Sequence, residues 1–222
     1  MTSRSAPLLL ASVAVALAAA CAPPPVRQVA VLDPSQPLGR VEGKRFVGTQ
    51  VPVTVSAEGT PWLLSTSYPR FLLDQGYEEA GLRQSQIFAW NPATRSSLQI
   101  SLSPAGPYDR FSQSSIEWLT SIAVGGMEAE LDEAYGKGRY TVTHGTAQAF
   151  HLEGVPYAAR NHSVYRSGQE ARENGWIYAF AEPFQIFILY QLQDPEDEAD
   201  RAALETILSS FRYRPPARKS AY

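Results

Sequence analysis

The sequence predicts an α+β fold built on a mainly antiparallel sheet with helices packed on it. Three observations carry this. Leu98, Ile100 and Leu102 alternate with Ser97, Gln99, Ser101 and Ser103, the period-two pattern of a strand with one buried face. Phe184 to Tyr190 is almost continuously apolar, as in a central strand buried on both faces. Helical stripes occur at Ile116, Leu119, Ile122 and Ala123, and again at Ala203, Leu204, Ile207, Leu208 and Phe211. The order is strands, helix, hairpins, helix, which suits α+β rather than alternating β and α units.

Taken from the N-terminus, Met1 to Arg4 is short and basic, and Pro7 to Ala20 is an apolar run of 14 residues broken only by Ser12. That is shorter than the roughly 20 residues needed to span a bilayer, and it has the form of a secretory signal. Residues 1–20 are therefore read as a leader. Residues 21–40 follow as a tether, because Pro23, Pro24, Pro25, Pro34 and Pro37 deny it helix and sheet hydrogen bonds. A single domain is expected over 41–214 and a frayed basic tail over 215–222.

Within the domain, Val51, Val53 and Val55 read as a strand, placed at an edge by Pro52. Trp62–Ser67 is a second strand. Gln86–Trp90 and Arg95–Ser103 form a hairpin about Asn91–Thr94. Centred between Pro92 and Ala93, it pairs Phe88 near Ser97, Trp90 near Arg95 and Ile87 opposite Leu98. A helix opens at Ser114 with Glu117 three residues later, a capping-box spacing, and ends at Gly125-Gly126. Met127, Leu131, Ala134 and Tyr135 suggest a second short helix stopped by Gly136 and Gly138. Arg139–Leu152 and Val155–Arg166 flank a turn at Glu153-Gly154. Trp176–Phe180 and Phe184–Gln193 flank one at Glu182-Pro183. Asp194 caps the last helix, with Pro195 in its first position.

The leader closes Leu17-Ala18-Ala19-Ala20-Cys21. This resembles the bacterial lipobox, departing from it only in Ala18 where Leu is commoner. The resemblance implies acylation of Cys21, the only cysteine in the chain, and cleavage before it. Several acyl chains are needed for firm residence, since one alone gives marginal membrane binding. Ala22, where Gram-negative lipoproteins kept at the inner membrane carry Asp, implies an outer-membrane position facing the periplasm.

Composition narrows the function. The 222 residues carry a net charge of −3, which gives no basic face for nucleic acid. One cysteine leaves no disulfide framework and no Cys-rich zinc site. No Gly-x-Ser-x-Gly elbow, P-loop or dinucleotide fingerprint occurs. His144, His151 and His162 fall in one hairpin, but His151 and His162 are about 16 Å apart by strand spacing. His144 is expected on an apolar face and His162 with solvent-facing arginines. The acids from Asp194 to Asp200 are assigned to capping the last helix. Arg212, Arg214, Arg218 and Lys219 are assigned to a solvated end. No catalytic residue, metal or cofactor is expected.

The order of elements, with the closing helix reading Leu204-Glu205-Thr206-Ile207-Leu208-Ser209-Ser210-Phe211-Arg212-Tyr213, resembles the PsbP-like α/β/α sandwich, including the DcrB-like envelope lipoproteins. The resemblance spans roughly 60–214 and leaves 41–59 as an extra strand or hairpin. It implies a non-enzymatic module that binds another envelope protein, as some relatives act as chaperones for membrane-spanning helices. The alternative is a hydrolase or small-ligand protein with an unrecognised site. Phe88 and Trp90 lie beside Ser97, Gln99 and Ser101, and the default in such a sandwich is that a helix covers them; if the face is open instead and a partner docks on it, Phe88 and Trp90 are the aromatic anchors and Gln99 supplies hydrogen bonds.

Overall fold

The computed structural model of the chain describes residues 29–107 and 109–214. The expected leader, Cys21, most of the Pro-rich segment and the tail from 215 lie outside the described residues. The main sheet contains β4 (Leu63–Ser65), β5 (Ile87–Trp90), β6 (Ser97–Pro104), β11 (Phe184–Leu192), β10 (Glu170–Ala181), β9 (Tyr157–Ser167) and β7 (Thr141–His144), paired in that order, with β8 (Gln148–Ala149) also on β9. Every pairing is antiparallel. β11 lies at the centre, as its apolar run predicts.

A second, four-stranded sheet orders β1 (Gly39–Glu42), β2 (Arg45–Gly48), β3 (Val53–Ser56) and β12 (Arg212–Tyr213). Strand β3 begins after Pro52 and lies between β2 and β12. The edge placement is thus corrected: Pro52 stands outside the ladder, where its missing N–H costs nothing, and its carbonyl accepts from the Arg214 N–H at 2.8 Å. The Gln50 amide reaches back to the carbonyls of Asp33 and Gln36, and Ala30, Leu32 and Leu38 pack on the core. The end of the expected tether therefore belongs to the folded body.

One face of the main sheet presents Ile87, Leu98, Ile100, Ile177, Ile186 and Ile188. They pack against the second sheet and against α4 (Glu198–Ser209) through Leu204, Ile207 and Leu208. The opposite face receives α3 (Gln113–Tyr135) and the segment carrying α1 (Phe71–Asp74) and α2 (Glu79–Leu82). Helices thus cover both faces. Among the described residues no helix is long and apolar enough to cross a membrane.

Several local expectations are corrected. Helix α3 is one helix of 23 residues, running through Gly125 and Gly126 to Gly136. Neither interior glycine has a positive φ, and Val124, Met127 and Leu131 hold the helix to the sheet on either side of them. Its cap is Ser112, in a reciprocal box with Ser115, two residues before the expected Ser114. Helix α4 is capped by Asp197, whose carboxylate accepts from the Ala199 and Asp200 N–H groups. Asp194 instead closes a turn on the Glu196 N–H at 2.8 Å. The expected strand 139–152 is split into β7 and β8. His144 pairs with Ser163 but Gln148 with Arg160, a one-residue step across 145–147 typical of a bulge. Strand β10 starts at Glu170 rather than Trp176, because β9 folds back over Gly168-Gln169 and pairs with the polar residues 170–175.

Candidate functional site

The face beneath α3 and the α1–α2 segment is where sequence reasoning placed a docking surface. Observed register pairs Ile87 with Ile100, Phe88 with Gln99, Ala89 with Leu98 and Trp90 with Ser97. The expected register was two residues off, but the faces are unchanged, since a two-residue slip preserves which side each residue takes. Phe88, Trp90 and Gln99 do share a face. That face is not open at this point. Residues 68–85 roof it: Leu72 and Leu82 pack on Phe88, and Tyr68 meets its ring edge-on at 6.1 Å. Phe88 is 2% exposed and Gln99 7%, with Ser85 Oγ donating to Gln99 Oε1 at 3.2 Å. Only Trp90, half-buried at the rim, keeps a solvent-facing edge. The open-face expectation is therefore corrected for Phe88 and Gln99. The cover expected by default in a sandwich is the one observed, but the segment that supplies it has short apolar clusters and no sustained period, so the sequence assigns no element to residues 68–85.

What remains partly open lies between the roof and α3. Ser101, Tyr178, Gln185, Phe187 and Leu189 are all half-buried there. The Tyr178 and Phe187 rings lie 4.6 Å apart, and burial pushes the Tyr178 phenol above its ordinary pKa. Gln185 donates to Asp109 Oδ2 at 3.0 Å, closing one end. At the other, Tyr77 is influenced by Glu130 of α3 and by Arg172 of β10, and burial raises its phenol pKa strongly. The strip is apolar in its middle and polar at its margins, a composition that suits a peptide or protein segment.

Three polar constellations elsewhere have chemistry-bearing residues. Ser163, His144 and Glu128 form a relay: Ser163 Oγ lies 2.8 Å from His144 Nδ1, and Nε2 lies 3.0 Å from Glu128 Oε1. Ser163 is fully buried, so no substrate carbonyl reaches its Oγ. The ring nitrogens are also reversed relative to a serine hydrolase, where Nε2 faces the serine. The relay fastens β7 and β9 to α3. His144 is half-buried here, not the core histidine expected, while His151 and His162 are exposed. Among the described residues no three His, Cys, Asp or Glu side chains converge on a point.

The second constellation is a charged chain linking α4 to the main sheet. Arg201 donates to Glu173 at 2.7 Å, the Tyr190 hydroxyl donates to Glu173 at 3.3 Å, and Arg160 bonds both Tyr190 at 2.9 Å and Glu205 at 2.6 Å. Two cations meet two anions, so the charges satisfy one another. Gly175 makes room for it, because a Cβ there would overlap the Tyr190 ring. The third centres on Asp200, 2% exposed, which accepts from Trp62 Nε1 at 3.0 Å, Asn91 Nδ2 at 2.6 Å and Thr94 Oγ1 at 2.5 Å. Burial opposes its charge, but the donors from Ser96, Thr94, Asn91 and Trp62 outweigh burial and hold its pKa below the usual carboxylate value. Partners so distant in sequence left no local signal, and sequence reasoning assigned Asp200 to capping. At the C-terminal end, Arg212 pairs with Glu153 at 2.6 Å, and Arg218 and Lys219 lie outside the described residues.

An open polar cleft of about 490 Å³ lies at the end of the β9–β10 hairpin, lined by Arg166, Gln169, Arg172, Gln193 and Glu196 among others. Arg166 and Glu196 face each other across it at 3.4 Å.

No protein-family model and no curated sequence matches this chain. Solved structures similar to it include two of low identity. The solution structure of cyanobacterial PsbP (CyanoP) from Synechocystis sp. PCC 6803 is 12% identical, covers 83% of this chain and 98% of its own, and has a TM-score of 0.49. The crystal structure of LpqN, involved in cell envelope biogenesis of Mycobacterium tuberculosis, is 13% identical, covers 75% of this chain and 93% of its own, and has a TM-score of 0.42. At these values neither assigns a function to this chain.

Proposed function

We propose that this chain is a lipid-anchored module of the bacterial envelope whose folded body holds another protein, with no chemistry of its own. The observation that carries the reading is Cys21, the sole cysteine, placed directly after an apolar run that closes on three alanines. Acyl chains on Cys21 supply the membrane contact, and Ala22 favours the outer membrane facing the periplasm. The half-buried strip of Tyr178, Phe187 and Leu189, with Trp90 at the rim of the roof, is the partner contact. Aromatic anchors set among polar groups are the usual hot spots of such contacts.

The test is site-specific photo-cross-linking in cells, with a benzophenone amino acid at Phe187 or Trp90 and at Glu58 as a control. The reading expects a discrete protein adduct from the first two positions only. Adducts no stronger than at Glu58 would remove the strip as a contact. A second reading, a small polar ligand, is favoured by the cleft at Arg166 and Arg172. It predicts that a metabolite extract raises the melting temperature and that Arg172→Ala cancels the rise.

A further inference from the structure

The two ends of the described chain meet at one end of the second sheet. On the N-terminal side, the Gln50 side chain accepts from the Asp33 N–H at 2.7 Å, and its amide donates back to the Asp33 and Gln36 carbonyls. On the C-terminal side, the Arg214 N–H donates to the Pro52 carbonyl at 2.8 Å. Gln50 and Pro52 are two residues apart, so at most about 7 Å separates their Cα atoms. Both chain ends therefore join the body beside one short stretch, 50–52.

The body also begins closer to Cys21 than the proline pattern implies. A tether running to Arg40 would reach about 68 Å fully extended. Ala30 and Leu32 already pack on the core, which limits the reach from Cys21 to the body to about 32 Å. The outward side of this segment is apolar as well. Ala30 and Leu32 turn inward, while Val29 and Val31 alternate with them and turn outward. Val31 is 94% exposed, more than any other large apolar side chain among the described residues.

Charge is segregated along the same line. All 22 acids of the chain lie between Asp33 and Glu205, with 13 cations among them. Residues 206–222 hold Arg212, Arg214, Arg218 and Lys219 and no acid, and Arg27 is the only charged residue between Cys21 and Asp33. Of these, Arg212 is paired with Glu153, and Arg214 is exposed. The Asp33 carboxylate is held by the Ser35 N–H and hydroxyl at 2.9 and 2.6 Å. An acidic body thus has its basic segments gathered at the end from which the anchor leaves. Helix α3, with Glu117, Glu128, Glu130, Asp132 and Glu133, lies across the main sheet from the second sheet.

We propose that this end of the body is a lipid-facing surface: Val29 and Val31 meet the membrane interface, and Arg27, Arg214, Arg218 and Lys219 meet its anionic phospholipid headgroups. The proposal rests on acylation of Cys21, which brings the membrane within reach. The acyl chains give residence, and the basic end gives orientation, because the same surface repels the acidic remainder of the body. Each cation near an anionic surface favours the docked orientation about fivefold, an attraction that fades within a Debye length. The C-terminal residues assigned from sequence to a solvated end thereby gain a partner.

The experiment uses the acylated full chain in vesicles of phosphatidylcholine, alone or mixed with phosphatidylglycerol. A bimane label is placed at Val31→Cys, at Glu58→Cys beyond the far end of β3, or at Trp118→Cys on α3, and a nitroxide headgroup lipid serves as quencher. Flotation with the vesicles reports the anchor separately. Quenching should be strong at position 31 and weak at 58 and 118, and should rise with phosphatidylglycerol and fall with salt. Arg218→Gln with Lys219→Gln should lower the ratio of docked to undocked body about twenty-five-fold, with the melting temperature unchanged. A chain that floats but is quenched equally at the three positions overturns the lipid-facing surface and leaves the anchor standing. Quenching at position 31 that ignores phosphatidylglycerol and the double substitution overturns the role of the basic end. A chain that does not float contradicts the anchor, and the proposal falls with it.

Discussion

Asp200 decides more of the fold than its place in a run of acids suggests. Its carboxylate gathers Trp62, ahead of β4, with Asn91 and Thr94 of the β5–β6 turn, and fixes the start of α4 above that turn. Removing a charged acceptor strands buried donors, a loss of about 1–3 kcal/mol for each group left unsatisfied. Asp200→Ala should therefore destabilise the protein by about 3 kcal/mol, measured by urea unfolding at neutral pH. The sign of the pH dependence follows from its lowered pKa. A carboxylate depressed in the folded state contributes fully above its unfolded value and loses that contribution as pH falls through the folded value. Wild type should lose stability on acidification below the ordinary carboxylate range. Asp200→Asn should lie below wild type at neutral pH and show a flatter acid limb. Equal acid limbs in the two proteins would show that another carboxylate governs that limb.

At the scale of elements, each helix makes a separate prediction. In α4, Leu208 is 2% exposed and packs with Leu204 and Ile207 on the main sheet. Leu208→Ala should cost about 2–5 kcal/mol as a core truncation. A change under about half a kcal/mol would mean that α4 is not docked. In α3, Gly125→Ala and Gly126→Ala should each raise stability by about 1 kcal/mol, read from thermal unfolding, since neither glycine has a positive φ and a Cβ at either meets no atom within 4 Å. A drop on either substitution would show that the glycine is needed within its own fold.

These same elements show what the sequence could and could not disclose. Where packing imposes a strict period, as in β6 and α4, sidedness was legible and held, and β11 was placed at the centre by its unbroken apolar run. The two interior glycines read locally as a helix stop, yet tertiary contact from Val124, Met127 and Leu131 carried the helix across them. The polar half of β10 had no apolar alternation to mark it, because its strand character comes from pairing with β9 and its one buried acid is neutralised by Arg201. The roof over Phe88 rests on two four-residue helices, too short to leave a period. Their burial depends on Leu72 and Leu82 finding the sheet.

For the whole molecule, two layers on a central sheet give a body that the leader would deliver and Cys21 would tether. Since no ligating cluster forms among the described residues, the melting temperature should be the same with and without EDTA. A shift of several degrees would place a metal in the stabilised state. The measurement that tests the central claim most directly is metabolic labelling with a palmitate analogue. The wild-type chain should incorporate label and migrate at the size left by cleavage before Cys21. Cys21→Ala should take up none and remain at the precursor size. Equal labelling of the two, or cleavage of the Cys21→Ala chain at the same point, would contradict a lipid-anchored envelope module.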